Sequence, residues 1–577
     1  MIAKTVALAA LLAASTGCIT DRILVGSPPQ ADPVQFQRVE DETARLRHLP
    51  FTRPVPVDVM TVEQLRAWFD QYATQRKAAL EREDRFFHRM NILPPTVSTA
   101  EAYKGFLADF VGGIYDDGSK KMILVSDYAW WAKLQQDVVG YITGVDWAYE
   151  VFLAHELTHA LQDQHFGLGD MLQGGVYDDN DDAAFVRKTL LETEANVVGM
   201  AHFLGMDLEK LATRKAFFLF MRYNNLLNGP LMMALSGKTP SFFAKQTFSQ
   251  YELGLSFVEE KLDDGGMDEL SRAYVRGPGE RGGLPESTEQ LLWPKKMRAD
   301  SLDRPIPIAR LDGPPASIPG SSLVITNVFG ALACKHWFER EDGPLVGNAV
   351  ADGWGGDRWD IIDDGGVSLL VWRTTWDSDG DAQEFVDAYA QSVPVRYGER
   401  AVVVDEHTWA IPAAASEEHS VRTTRDERVV LERRGKDVLV VEGTTPAETQ
   451  PLVDEMWRKL ARGAPPHVHE AKLADKRAAL EAHLQESRQR IAAEPERTDL
   501  LGRLFLPART MAIRLGTGVS VDAQAPNGVP PRLPQNDIEM RWGFRPGLEL
   551  SLPLGLAGSV RTAAGQSVAS ITLREFY

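Results

Sequence analysis

Two histidines four residues apart, His155 and His159, enclose a glutamate, Glu156, in the stretch VFLAHELTHALQDQHFG at residues 151–167. On a helix, residues i and i+4 share one face about a turn apart, so both imidazoles can grip a single cation. Zinc suits imidazole, and two histidines, one carboxylate and a water make up the four-coordinate catalytic arrangement. Glu156 lies about a quarter turn around, where its carboxylate reaches that water without occupying a coordination position. Such a set does hydrolysis. The metal lowers the pKa of the water, and the glutamate takes its proton as general base and passes it to the leaving amine. Val151, Leu157 and Leu161 provide the buried side of the helix.

The pattern alone also fits two histidines on an ordinary helix, so its weight rests on a third ligand further along the chain. That ligand is expected from a second helix, and TLLETEANVVGMA, beginning 30 residues after His159, has helical periodicity. Both Glu192 and Glu194 are available there. Glu192 is preferred, because Asn196 one turn on can orient a ligating histidine through a hydrogen bond. Glu194 points roughly 160° around the same helix and cannot share the metal-facing side; it stands as the alternative. His165 and Tyr177 are candidate donors to a developing oxyanion, with a structural hydrogen bond as the competing reading for each. No G-x-S-x-G elbow, P-loop or dinucleotide fingerprint competes.

Further segments add to these residues. HELTHALQDQHF, the GGIYD before it, the LLETEA after it, PESTEQLLWP, VADGWGGDRWDI at 350–361 and VWRTTWDSDGDAQEF at 371–385 together resemble a family of bacterial zincin-type metallopeptidases, many of them lipoproteins. The resemblance covers roughly residues 55–445 and is similar in logic to the gluzincins. It implies zinc held by His155, His159 and a downstream glutamate, with a peptide or protein as substrate. The chain departs from the family pattern twice. Glu192-Thr193 stands where the family has Glu-Gly, and Trp293 precedes Pro294 where the family carries a histidine.

The elements that must position these residues can be read in outline. Thr61 and Gln64 have capping-box spacing ahead of a helix with an apolar stripe of Leu65, Phe69 and Tyr72. GGIYDDGSKKMILVSD at 112–127 reads as a β-hairpin about Asp117-Gly118, just before the histidine helix. In zinc peptidases an edge strand so placed can pair with an extended substrate. Ser287 and Gln290 offer another capping box, and KAFFLFMRYNNLLNGPLMMALSG at 215–237 reads as a buried helix pair. The proline-rich stretch 301–320 predicts a domain boundary. Beyond it, 321–462 alternates strands with helices of acidic start. The aspartates about 178–182 and 377–381 lack the glycine and acid of a calcium loop, so they read as helix caps.

Across 577 residues, 62 basic and 81 acidic side chains leave a net charge of −19, which argues against nucleic-acid binding. The opening MIAKTVALAALLAASTGC reads as a lipoprotein signal peptide, 1–18, leaving Cys18 to be acylated and to hold the chain on a membrane without spanning it. No Asp comes after Cys18 to suggest inner-membrane retention, so an outer-membrane anchor facing the periplasm or the surface is expected. Cys334 then has no partner for a disulfide and reads as a small buried hydrophobe.

The expected chain is α+β. A tether at 19–57 leads to a mainly helical zincin-like domain at 58–300 with a β-hairpin before the active-site helix. Then come a smaller α+β domain at 321–462, a charged helix at 468–494 and a Gly/Pro-rich tail with short strands at 515–577. The expected function is a zinc-dependent metallopeptidase of the cell envelope. The alternative is a non-catalytic envelope lipoprotein whose zinc site is structural or vestigial.

Overall fold

The computed structural model describes residues 24–102, 113–127, 147–173, 179–206, 208–211, 214–223, 239–277, 279–298, 301–339, 347–413, 423–460, 462–463 and 470–493, and strands within 510–572. Cys18, Tyr177 and Asp178 lie outside the described residues. The chain is α+β, as its sequence pattern predicts: a helical half, a seven-stranded antiparallel sheet flanked by helices, and a separate five-stranded sheet.

The helical half is built on helix α4 (Trp147–Phe166) and helix α5 (Asp181–Leu204), packed side by side. Asn180 caps α5, its side chain accepting from Ala183 N, and Gly205 in the left-handed region ends it. One contact sets how closely they approach. A Cβ at Gly199 would stand 2.9 Å from the Val151 carbonyl oxygen, so any side chain there would push α5 off the histidine helix.

A three-stranded sheet lies against α4. Its order is β1 (Val57–Met60), β3 (Lys121–Val125), β2 (Gly113–Asp116), with β1 parallel and β2 antiparallel to β3. The β2–β3 hairpin closes through residues 117–120, with Lys120 at φ 59 and Asp116 Oδ1 accepting from Gly118 N. This is a longer turn than a two-residue Asp-Gly loop. It leaves β2 as an edge strand.

The stretch expected to be a tether is instead helix α1 (Pro33–Arg47). Pro33 is at the start, where its missing N–H costs nothing, and Asp32 caps the helix by accepting from Val34 N at 2.9 Å. Val39, Thr43, Leu46 and Arg47 are buried, a helical stripe that the proline content concealed. Helix α1 packs on both α4 and α5.

The charged segment near 470 is helix α12 (Glu470–Ala493), with Leu480 and Leu484 buried against helix α7 (Leu255–Tyr274) and α4. Two cations cap carbonyls that the helical half leaves open: Lys476 Nζ donates to Phe166 O at the end of α4, and Arg477 Nε to Val275 O, each at 2.8 Å.

The large sheet runs β4 (Ser322–Asn327), β5 (Trp354–Asp364), β6 (Val367–Trp376), β10 (Asp437–Thr444), β9 (Glu427–Arg434), β8 (Thr408–Ile411), β7 (Val402–Asp405), every neighbour antiparallel. Both faces are covered. In β10, Val438 and Val440 join one core while Leu439 and Val441 join the other, the period-two alternation of a doubly buried strand. Helix α10 (Asp379–Tyr397) and helix α9 (Ala331–Phe338) cover the first face, and helix α11 (Pro446–Lys459) the second. Ser378 caps α10 with Asp379 and Asp381 in its first turn.

The helical half has a core of its own, drawn from residues before 292 and from Leu480 and Leu484, but residues before 301–320 also enter the sheet's first core. Phe86, Met90, Ile92 and Leu93, on and after helix α3 (Lys77–Arg89), which follows helix α2 (Val62–Gln75), pack into that core, as do Phe242 and Phe243 of helix α6 (Ser241–Ser249). Proline content reports where the chain turns, not which residues bury one another. The PESTEQ segment supplies another joint. Thr288, opening helix α8 (Thr288–Leu292), donates to Asp182 of α5 and accepts from Leu332 N of α9 at 2.9 Å. Trp293 packs on the sheet's first core.

His336 of α9 lies at this junction, 6% exposed, with Nε2 3.4 Å from the Ser249 hydroxyl of α6. Burial, reinforced by Lys335 and Lys245, pulls its pKa down to about 3. An unfolded histidine titrates near 6.5. As pH falls below that value the unfolded chain takes up a proton that the folded chain refuses, so stability declines toward pH 3. The loss from this group at pH 5 is about 2 kcal/mol. His336→Leu should therefore flatten the fall in melting temperature between pH 7 and pH 5, and an unchanged fall would show the ring to be accessible.

The five-stranded sheet comprises β11 (Thr510–Gly518), β12 (Gln535–Arg545), β13 (Leu548–Leu554), β14 (Ala557–Thr562) and β15 (Ser567–Thr572), side by side in chain order.

Candidate metal centre

His155 and His159 lie one turn apart on α4, and Glu192 faces them from α5. His155 Nε2 is 3.1 Å from His159 Nε2. Glu192 Oε2 is 3.3 Å from the first and 3.6 Å from the second. A tetrahedral zinc with bonds of about 2.0–2.1 Å has ligand–ligand edges of about 3.3–3.4 Å, so these three atoms already mark out one triangular face of its coordination shell. All three residues are largely buried. Two imidazole nitrogens and one carboxylate oxygen at this spacing fit a divalent cation.

The electrostatics of the triangle point the same way. Burial opposes a charged His159 ring, yet the Glu192 carboxylate, with Glu156 and the bonds to Glu192 and Gln162, carries its pKa up to about 9. The same pairing overcomes burial at Glu192 and holds its carboxyl well below the usual range, so the position between these side chains favours positive charge.

Glu156 projects from the same helix without joining the triangle. Its Oε2 accepts from Tyr115 N at 2.7 Å, so the edge strand β2 holds the carboxylate through a backbone donor. The fit is tight: a Cβ at Gly113 would stand 3.2 Å from Glu156 Cγ. The strand is in turn clamped to α4 through Asp163, which accepts from Tyr115 OH at 3.0 Å and Lys120 Nζ at 2.7 Å.

Glu194, the alternative third ligand, does not come to the histidines. It is fully buried on the other side of α5 in an ion pair with Arg47 of α1. Arg47 also donates to Ser271 Oγ of α7 at 2.7 Å. The helix hidden by its proline thus supplies the partner that claims Glu194.

The histidine-orienting partner is not Asn196. His159 Nδ1 lies 2.7 Å from Gln162 Oε1, and Gln162 Nε2 donates to Leu191 O at 3.1 Å. The glutamine oxygen can only accept, which puts the proton of a neutral His159 on Nδ1 and leaves Nε2 free to ligate. The second bond ties α4 to the residue before Glu192. Gln162→Leu should weaken zinc binding about 10–100-fold in a competing-chelator titration, while Gln162→Glu, which keeps the acceptor for His159 but loses the donor to Leu191 O, should retain more of the affinity and lose stability. Equal affinity in the leucine variant would remove Gln162 from this role.

A residue the sequence gives no signal for also belongs here. The hydroxyl of Tyr251 has its pKa held well above the phenol range, first by the Glu192 charge, then by burial and the Glu156 charge. Both carboxylates of the site therefore act on it. Its backbone is fixed by Thr193 Oγ1, which donates to Gln250 O at 3.1 Å. Thr193, the departure from the family's glycine, fits because the facing residue is Gly254; a Cβ there would stand 2.4 Å from Thr193 Oγ1.

His165 does not join the site. Its Nε2 lies 2.8 Å from Pro50 O and its ring packs on His483, while burial pulls its pKa down to about 4. A second convergence of acids, Glu289, Asp303 and Asp377, is filled by Lys296, whose Nζ lies 2.5–3.0 Å from all three.

Residues 323–453 match the sequence model of a Domain of unknown function (DUF8575), a span that takes in most of the seven-stranded sheet and its helices but neither α4 nor α5. No curated protein and no solved structure matches the chain.

Proposed function

We propose that this chain is a zinc-dependent metallopeptidase of zincin-like build, exported and held at the bacterial cell envelope by an acylated Cys18. What supports the reading is the convergence of His155 Nε2, His159 Nε2 and Glu192 Oε2 within 3.6 Å of one another, with the Glu156 carboxylate on the same helix held by Tyr115 N–H of β2.

A zinc ion on these ligands would lower the pKa of a coordinated water to about 7 and polarise the scissile carbonyl. The remaining work falls to side chains of this chain. Glu156, held by Tyr115 N–H, accepts the proton of the attacking water and delivers it to the leaving nitrogen. Tyr251, kept protonated by the two nearby carboxylates, donates a hydrogen bond to the developing oxyanion. Among the described residues β2 is the outer strand of its sheet, and its backbone groups other than Tyr115 N–H are offered to an extended peptide, a pairing that would align a substrate beside Glu156.

Purified protein is expected to cleave a mixed peptide library, to lose that activity with 1,10-phenanthroline and to regain it on adding zinc. Cleavage that persists in fully metal-free protein would overturn the reading.

A further inference from the structure

The five-stranded sheet at 510–572 has a two-faced order that the peptidase reading does not use. Its register places Met511 opposite Trp542, Ile513 opposite Met540 and Leu515 opposite Ile538. On the next ladder Trp542, Met540 and Ile538 stand opposite Leu550, Leu552 and Leu554, and Leu550 then stands opposite Val560 and Val560 opposite Ala569. Successive strand residues alternate faces, so all of these positions share one face across five strands. The other face holds Arg514 opposite Glu539, Arg541 opposite Ser551 and Glu549 opposite Arg561. That face pairs positions of opposite charge across the ladders, an arrangement that favours antiparallel pairing.

An apolar face this continuous needs a non-aqueous neighbour. Each of these strands packs chiefly on its neighbours in the same sheet. Strands set side by side in chain order, β11 to β15, have the up-and-down topology of barrels, whereas sandwiches are assembled through Greek-key crossings. With nine and eleven residues, β11 and β12 have the length that crosses the hydrocarbon core at a tilt of about 45°.

We propose that β11–β15 form part of the wall of a transmembrane β-barrel, with the Met511–Trp542–Leu550–Val560 face against lipid and the charged face toward the lumen. Hydrocarbon cannot satisfy an open sheet edge, and barrels begin at about eight strands. The edges β11 and β15 therefore pair with strands from outside this set. The chain would then be held at the membrane by its sheet as well as by Cys18.

The test uses the chain from residue 19 onward, exported behind a cleavable leader in a Gram-negative host so that no acyl group can anchor it. It should remain in the membrane fraction through an alkaline carbonate wash. Leu552→Arg on the apolar face should cut the retained fraction on the order of tenfold or more, while Ser559→Arg, the same charge on the other face opposite Ser551 and Ser570, should leave it unchanged. General misfolding would affect both variants. The proposal is overturned by a chain recovered in the soluble fraction, by equal loss in the two variants, or by a soluble dimer that only Leu552→Arg dissociates, which would make a second copy the cover of that face.

Discussion

Glu156→Gln should leave the zinc content at one ion per chain and lower kcat about 10²–10⁴-fold, the usual contribution of a general base. The substitution is close to isosteric, and a glutamine oxygen can still accept from Tyr115 N–H as the carboxylate does at 2.7 Å. The side chain should therefore hold its place while losing the ability to take a proton. Because Glu156 is not part of the His155, His159 and Glu192 triangle, metal affinity and KM should change little. Zinc retained with cleavage equal to wild type would remove Glu156 from the mechanism.

The two glutamates of α5 should fail in opposite ways. Glu192→Gln removes the carboxylate that groups with His155 and His159 as a possible metal ligand and should leave the chain metal-free at stoichiometric zinc. That is a larger loss than the 10–100-fold expected for a hydrogen-bond partner such as Gln162. Its melting temperature without metal should fall, because the pairing that overcomes burial at Glu192 is lost, but by less than for Glu194, since His159 can shed its proton once that charge is gone and Arg47 cannot. Glu194→Gln should bind zinc normally and unfold more readily, by about 3–5 kcal/mol, because the Arg47 guanidinium would be stranded where neither partner is exposed. Zinc titration and chemical denaturation of both variants separate these outcomes. A Glu194 variant that loses zinc without losing stability would reverse the assignment.

How far the sequence reached depended on whether a feature was local. The helix of His155 and His159, the helix of Glu192 and the hairpin before them each announce themselves by spacing within a few residues, and the structure has α4, α5 and the β2–β3 hairpin there. The preference for Glu192 over Glu194 also came from a local angle about one helix axis. The reason Glu194 is elsewhere was not local: its partner, Arg47, stands 147 residues away on a helix whose proline content suggested a tether. Tyr251 was illegible for the same cause, since only the folded chain brings it under the charges of Glu192 and Glu156. Gln162 was within reach, three residues after His159, but Asn196 offered an equally good spacing and only the packing of α4 on α5 decides between them. Nor does local pattern tell that the Phe86 side chain of α3 joins a core assembled mainly from residues beyond 320.

Anomalous diffraction at the zinc edge, from crystals grown with zinc, locates the metal directly. One peak is expected at about 2.0–2.2 Å from His155 Nε2, His159 Nε2 and a Glu192 oxygen, with solvent in the fourth position on the side of Glu156. A peak absent from this triangle, or a fourth protein side chain closing the shell, would contradict the metallopeptidase reading.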